Sequence, residues 1–132
     1  MQIKNNKVLF DASALLALLR KEIGYEQLED LLASSSISAV NLGEVVSVLT
    51  NVGIPITETE EIINELIPEV IPFTHKIGFL TGTLASTAKE LGLSLADRAC
   101  IATGIVNSMT VYTTNQLWQQ LQLDNLNVIV IR

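Results

Sequence analysis

The chain of 132 residues is 48% hydrophobic and 17% charged, with seven glycines and three prolines, which reads as one globular domain over 1–132 and excludes global disorder. Eight basic against fourteen acidic residues give a net charge of −6; this argues against a broad basic surface tracking a nucleic-acid backbone, so a polyanionic substrate would need local help such as metal ions. One cysteine, Cys100, and one histidine, His75, exclude an internal disulfide and a Cys/His zinc site and fit a reducing, cytoplasmic setting.

Lys4 and Lys7 ahead of the apolar run Val8 to Leu19 imitate a secretory signal. Asp11 interrupts the run, Arg20 and Lys21 close it, and no small-residue cleavage pattern follows. The run is also too short to cross a bilayer core of ~30 Å as a helix, so no membrane partner is expected. It reads instead as a strand, Val8-Leu9-Phe10, entering a helix over 12–20. Short apolar, β-branched segments recur at Ser36 to Val40, Val70 to Phe73, Thr110 to Thr113 and Val128 to Ile131. Periodicity between them predicts helices over 25–33, 42–51, 58–66, 75–91, 95–106 and 115–121. Gly24 and Gly92 read as helix C-caps, and Pro55, Pro68 and Pro72 fall at or near boundaries. Strands joined by helical crossovers pair in parallel and are covered on both faces, which predicts a three-layer α/β/α sandwich.

Most of the fourteen acids sit among polar neighbours on solvated helix faces. Asp11, Glu44 and Asp97 instead interrupt apolar segments. Each has a local explanation. Asn41-Leu-Gly-Glu44 and Ser94-Leu-Ala-Asp97 have the spacing of a capping box, and Asp11 and Asn115 can cap the helices that follow them. The case for chemistry is collective. Ligands of an open parallel sheet bind outside the carboxyl ends of its strands. Asp11 and Asn115 directly follow strands, and Glu44 lies about one helical turn after another. Three carboxylates within ~5 Å would repel by ~3 kcal/mol per pair at an effective dielectric of 20, so such a cluster needs protons or hard cations.

At these positions the chain resembles the PIN-domain family of metal-dependent ribonucleases, most closely its VapC-like toxins. The anchors are Val8-Leu9-Phe10-Asp11-Ala12-Ser13, Asn41-Leu42-Gly43-Glu44-Val45, Leu93-Ser94-Leu95-Ala96-Asp97 and Tyr112-Thr113-Thr114-Asn115. The resemblance implies a five-stranded parallel sheet in the order 3-2-1-4-5. It also implies Asp11, Glu44 and Asp97 as the acids holding Mg²⁺ or Mn²⁺, with Ser13 and Thr113 supporting a carboxylate or water. Asn115 stands where the family commonly has a fourth aspartate, which removes a negative charge and predicts a site competent for one metal with a second held weakly.

The function that follows from the resemblance is a divalent-metal-dependent endoribonuclease hydrolysing RNA phosphodiesters, the toxin of a toxin–antitoxin pair, with an antitoxin partner and a homodimeric state. The alternative is a PIN-like module, catalytically weakened at Asn115, that binds RNA or protein. A receiver-like or phosphatase-like enzyme fits less well, because Asp11 has no paired acid at the first strand and no lysine follows Lys89. Arg98, Arg20 and Lys21 could reach phosphate, but an arginine placed like Arg98 is more often a solvated helix residue and Arg20 and Lys21 complement a helix C-terminus, so none is assigned to substrate. His75 reads as a surface or capping residue, Cys100 as a buried thiol, and Trp118 as packing its short helix onto the sheet. Neither a dinucleotide-binding nor a phosphate-loop glycine motif occurs.

Overall fold

The computed structural model describes residues 7–132. Five short strands, β1 (Val8–Phe10), β2 (Ser35–Ser38), β3 (Glu69–Ile71), β4 (Thr110–Thr113) and β5 (Asn127–Val130), form one sheet in the order β3-β2-β1-β4-β5. Every pairing is parallel, with Phe10 opposite Ile37 on one side and Tyr112 on the other. The sheet is therefore the one that alternating strands and helical crossovers predict.

Side-chain alternation along β1 explains the two layers. Val8 and Phe10 point into a core closed by α1 (Ala12–Leu19), α2 (Tyr25–Glu29), α3 (Ala39–Asn51) and α4 (Ile56–Leu66), through Leu15, Leu18, Leu28, Val45, Leu49 and Ile63. Leu9 points the other way, into a core closed by α5 (His75–Thr83) and α7 (Leu95–Val106) through Ile77, Cys100 and Ile101, with Trp118 buried beside them. Each buried Leu, Ile or Val contributes about 1.5–3 kcal/mol relative to exposure. At Gly104, a Cβ would collide with the Val111 side chain, so α7 lies directly on β4 and its position over the sheet is fixed.

Boundaries shift where side chains compete for backbone groups. The strand predicted over 36–40 runs from Ser35 to Ser38 because the Ser38 hydroxyl accepts from Asn41 N at 3.1 Å and starts α3 there, three residues before the predicted 42. The strands β3 and β5 likewise begin one residue earlier than the apolar runs suggest. The helix predicted over 75–91 breaks at Leu84 into α5 and α6 (Ala85–Lys89). Thr81 and Thr83 hydroxyls donate back to the carbonyls of Ile77 and Leu80, at 2.7 and 2.8 Å, in the last turn of α5; such bonds bend and weaken helices. The segment 25–33 divides into α2 and a 3₁₀ turn at Leu32–Ser34, and 115–121 is a 3₁₀ helix, Gln116–Gln120. Gly24 opens α2 rather than closing α1, with φ +93°, and a Cβ there would stand 2.5 Å from Ile131 Cγ2. No helix among the described residues is long and apolar enough to cross a membrane.

Candidate functional site

The chain leaves β1 at Asp11, whose N–H still donates to Tyr112 O at 3.1 Å. The residue is at once the end of the central strand and the N-cap of α1, and it is only 5% exposed. Oδ1 accepts from Ala14 N at 2.8 Å and from Ser13 Oγ at 2.7 Å, while Oδ2 accepts from Thr113 Oγ1 at 2.5 Å. The two hydroxyls are themselves placed, Ser13 Oγ by Thr114 N and Thr113 Oγ1 by Asn115 N, both at 3.0 Å. Thr113 at the end of β4 and the two residues after it thus supply three of the groups that orient the acid at the end of β1. Burial pushes the Asp11 carboxyl up to about 6; hydrogen bonds from Thr113, Ser13 and Ala14 oppose this, and the charge of Asp97 adds to it.

Asp97 sits in the first turn of α7. That helix precedes β4 and returns antiparallel to it, which brings its N-terminus to the carboxyl rim of the sheet. The capping box predicted here forms: Ser94 N donates to Asp97 Oδ2 at 3.0 Å and Asp97 N to Ser94 Oγ at 3.1 Å. The corresponding box predicted at Asn41 and Glu44 does not form, because Ser38 holds the cap position and Asn41 lies inside the helix. The Asn41 amide turns sideways instead, Nδ2 donating to Glu44 Oε1 at 2.8 Å and to Ala96 O at 3.3 Å, and Oδ1 accepting from Ser38 Oγ. Glu44 is exposed and Asp97 half-buried.

All three acids bear on one region. The Cys100 thiol, fully buried, is pushed up first by burial and then by the negative charges of Asp11, Asp97 and Glu44. The convergence is loose, and among the described residues no three His, Cys, Asp or Glu side chains stand close enough to form a ligand group on their own. The ion pairs among those residues, Lys7–Glu69 and Arg132–Glu22, involve none of the three acids. Asn115 lies at the same rim, and its Oδ1 accepts from Leu117 N at 3.0 Å to start the 3₁₀ helix. Arg98 turns away to donate to Thr81 O at 3.0 Å, tying α7 to α5; Arg20 is the exposed C-cap of α1.

The sequence profile of the PIN domain matches residues 8–122. The chain belongs to the PIN domain family. No curated protein matches it significantly by sequence. Among solved structures it is similar to VapBC2 from Rickettsia felis bound to a promoter DNA fragment, at TM-score 0.73 and 18% identity over 95% of this chain and 98% of that one. A toxin–antitoxin complex from Klebsiella pneumoniae gives TM-score 0.72 at 19% identity, covering 94% and 97%. FitAcB from Neisseria gonorrhoeae gives 0.68 at 20%, covering 92% and 95%. At such identities the likeness is one of fold. The structure adds Asn41, which the sequence reads as a helix cap and as part of a family anchor but not as a residue bearing on the site. The signal was a polar residue between Val40 and Leu42, 1% exposed in the structure and bonded on both sides of its amide.

Proposed function

We propose that this PIN domain is a divalent-metal-dependent endoribonuclease, the toxin member of a toxin–antitoxin pair acting in the cytoplasm. The observation that carries this reading is the Asp11 carboxylate, buried at the end of the central strand, held by two hydroxyls and a backbone N–H, and burdened by the charge of Asp97. The donor set is all oxygen and lacks a cationic side chain, which suits Mg²⁺ or Mn²⁺, ions that take one or two carboxylates and keep several waters. Asp11 and Asp97 are the ligands under this reading, with Glu44 completing the set. Such an ion, when bound, would lower the pKa of a water and offset phosphate charge.

The chain's own residues do the positioning. Ser13 and Thr113 fix both oxygens of Asp11, the Ser94 backbone N–H fixes one oxygen of Asp97, and Asn115 closes the rim beside Thr113. The toxin role and an antitoxin partner draw on the likeness to the toxin–antitoxin complex from Klebsiella pneumoniae, and the homodimer is carried over from the family resemblance as part of the same proposal. A second reading, a PIN-like module that binds RNA or protein with little cleavage, is favoured by one observation: the Asn115 carbonyl oxygen, the atom that could ligate a metal, already caps the 3₁₀ helix. Incubating the protein with structured RNAs in Mg²⁺ or Mn²⁺, beside Asp11→Ala, separates the two. Cleavage by the wild type alone is expected; cleavage equal in both proteins excludes the nuclease reading, and RNA binding without cleavage establishes the module.

A further inference from the structure

Asn41 is a buried amide with every polar atom of its side chain engaged, where α3 meets the start of α7 next to the acids. One end accepts from Ser38 Oγ, at the carboxyl end of β2. The other end donates twice from the same nitrogen, to Glu44 Oε1 one turn on and to Ala96 O of α7, the carbonyl adjacent to Asp97. The hydroxyl on Oδ1 and two acceptors around Nδ2 leave only one orientation of the amide compatible with its neighbours. Its burial is costly unless those bonds are kept. Glu44 is exposed, and an exposed glutamate with three free side-chain torsions would otherwise sample many rotamers.

We propose that Asn41 is a positioning residue for the acidic site: its amide selects the Glu44 rotamer that faces the rim and sets the spacing between Glu44 on α3 and Asp97 on α7. This deepens the metal-nuclease reading and rests on it. A carboxylate that ligates a metal is in turn held by hydrogen bonds, and loss of such an outer partner costs about 10–100-fold in metal affinity. Sequence spacing alone assigns Asn41 to a helix cap; the structure gives that task to Ser38 and so leaves the amide available for this one.

The test is Mn²⁺ binding to the protein without RNA, followed by electron paramagnetic resonance, with unfolding temperature recorded in parallel. Asn41→Ala and Asn41→Leu, which keeps the branched heavy-atom skeleton without its polar atoms, are compared with wild type, each also in a Glu44→Ala background. The expected result is a loss of Mn²⁺ affinity of about tenfold or more in either Asn41 variant, shrinking to little further loss once Glu44 is absent. A purely structural role would lower the unfolding temperature and weaken binding by the same factor in both backgrounds, which would overturn the proposal. Wild-type affinity in Asn41→Leu, or in Glu44→Ala alone, overturns it as well, while leaving Asp11 and Asp97 as ligands. Wild-type protein that binds no Mn²⁺, or binds it equally after Asp11→Ala, removes the metal reading itself and this proposal with it; the Asp11 control thus tells the two failures apart.

Discussion

The starts of α1 and α7 look alike in sequence and differ in physics. Both have an acid whose side chain satisfies a backbone N–H at the helix start: Asp11, the N-cap of α1, accepts from Ala14 N, and Asp97, three residues past the N-cap of α7, accepts from Ser94 N. At α7 the arrangement is a reciprocal pair at the surface, complete with a serine and an aspartate. At α1 the acid is buried, and two further hydroxyls, one from a strand a hundred residues away, are recruited to hold it. A cap at the surface needs no such help, since water satisfies the remaining lone pairs. The excess of donors around Asp11 marks a carboxylate kept charged in a place that disfavours charge, and such places cluster at functional sites.

The comparison predicts opposite signs for activity and stability at Asp11, and this is the largest effect expected. Asp11→Asn keeps the shape and can still accept from Ala14 N, yet it removes the charge. RNA cleavage in Mn²⁺ should fall by about a hundredfold or more, as expected for several kcal/mol of lost transition-state stabilisation. Stability should move the other way. With its carboxyl raised from 3.8 to about 6, folded Asp11 keeps a proton that the unfolded chain has released, so over roughly pH 4 to 6 the folded state binds more protons. Stability is therefore fully present below pH 4 and declines as pH rises through 6, by up to about 3 kcal/mol. Urea midpoints in EDTA across this range should show the decline in wild type relative to Asp11→Asn, and Mn²⁺ should diminish it. A flat difference between the two proteins would mean that burial does not raise the Asp11 carboxyl.

At α7 the two roles of the acid can be pulled apart. Ser94→Ala removes the cap and should cost about 1 kcal/mol of stability, with cleavage per folded molecule unchanged. Asp97→Asn keeps an acceptor for Ser94 N while removing the charge, so its unfolding temperature should stay near wild type as cleavage drops. If Ser94→Ala lost activity as heavily as Asp97→Asn, the α7 start would be a scaffold and not a ligand position.

The same contrast explains what could be read from the chain. The strands were legible within a residue or two because Val8-Leu9-Phe10 is apolar on both faces and the other four carry short apolar or β-branched runs, and the central place of β1 followed from the family resemblance. Asp11 was legible because it breaks such a run. The start of α3 was not, because Ser38 and Asn41 are both good capping residues three apart; only the burial of Asn41 against Ala96, across 55 residues of chain, decides between them. The break at Leu84 was hidden for a related reason, since back-bonding by Thr81 and Thr83 depends on rotamers that periodicity does not record.

The smallest effect is expected at Asn115, where the family resemblance implies an aspartate. Its Oδ1 accepts from Leu117 N, and its own N–H donates to Thr113 Oγ1, the hydroxyl that holds Asp11. A carboxylate can make the same cap, so Asn115→Asp should fold as the wild type does and add one negative charge to the rim. Metal affinity and cleavage rate should then rise by a modest factor, since affinity for hard divalent ions grows with the number of charged ligands. The gain has a counterweight: a fourth carboxylate near Asp11 adds like-charge repulsion and should push the Asp11 carboxyl higher in metal-free protein. Asn115→Asp is thus expected to be less stable than wild type in EDTA and to recover with Mn²⁺, and calorimetric unfolding with and without the ion reads both changes. Were affinity, rate and metal-free stability all unchanged, the amide would be an ordinary cap, and the rim would end at Thr113.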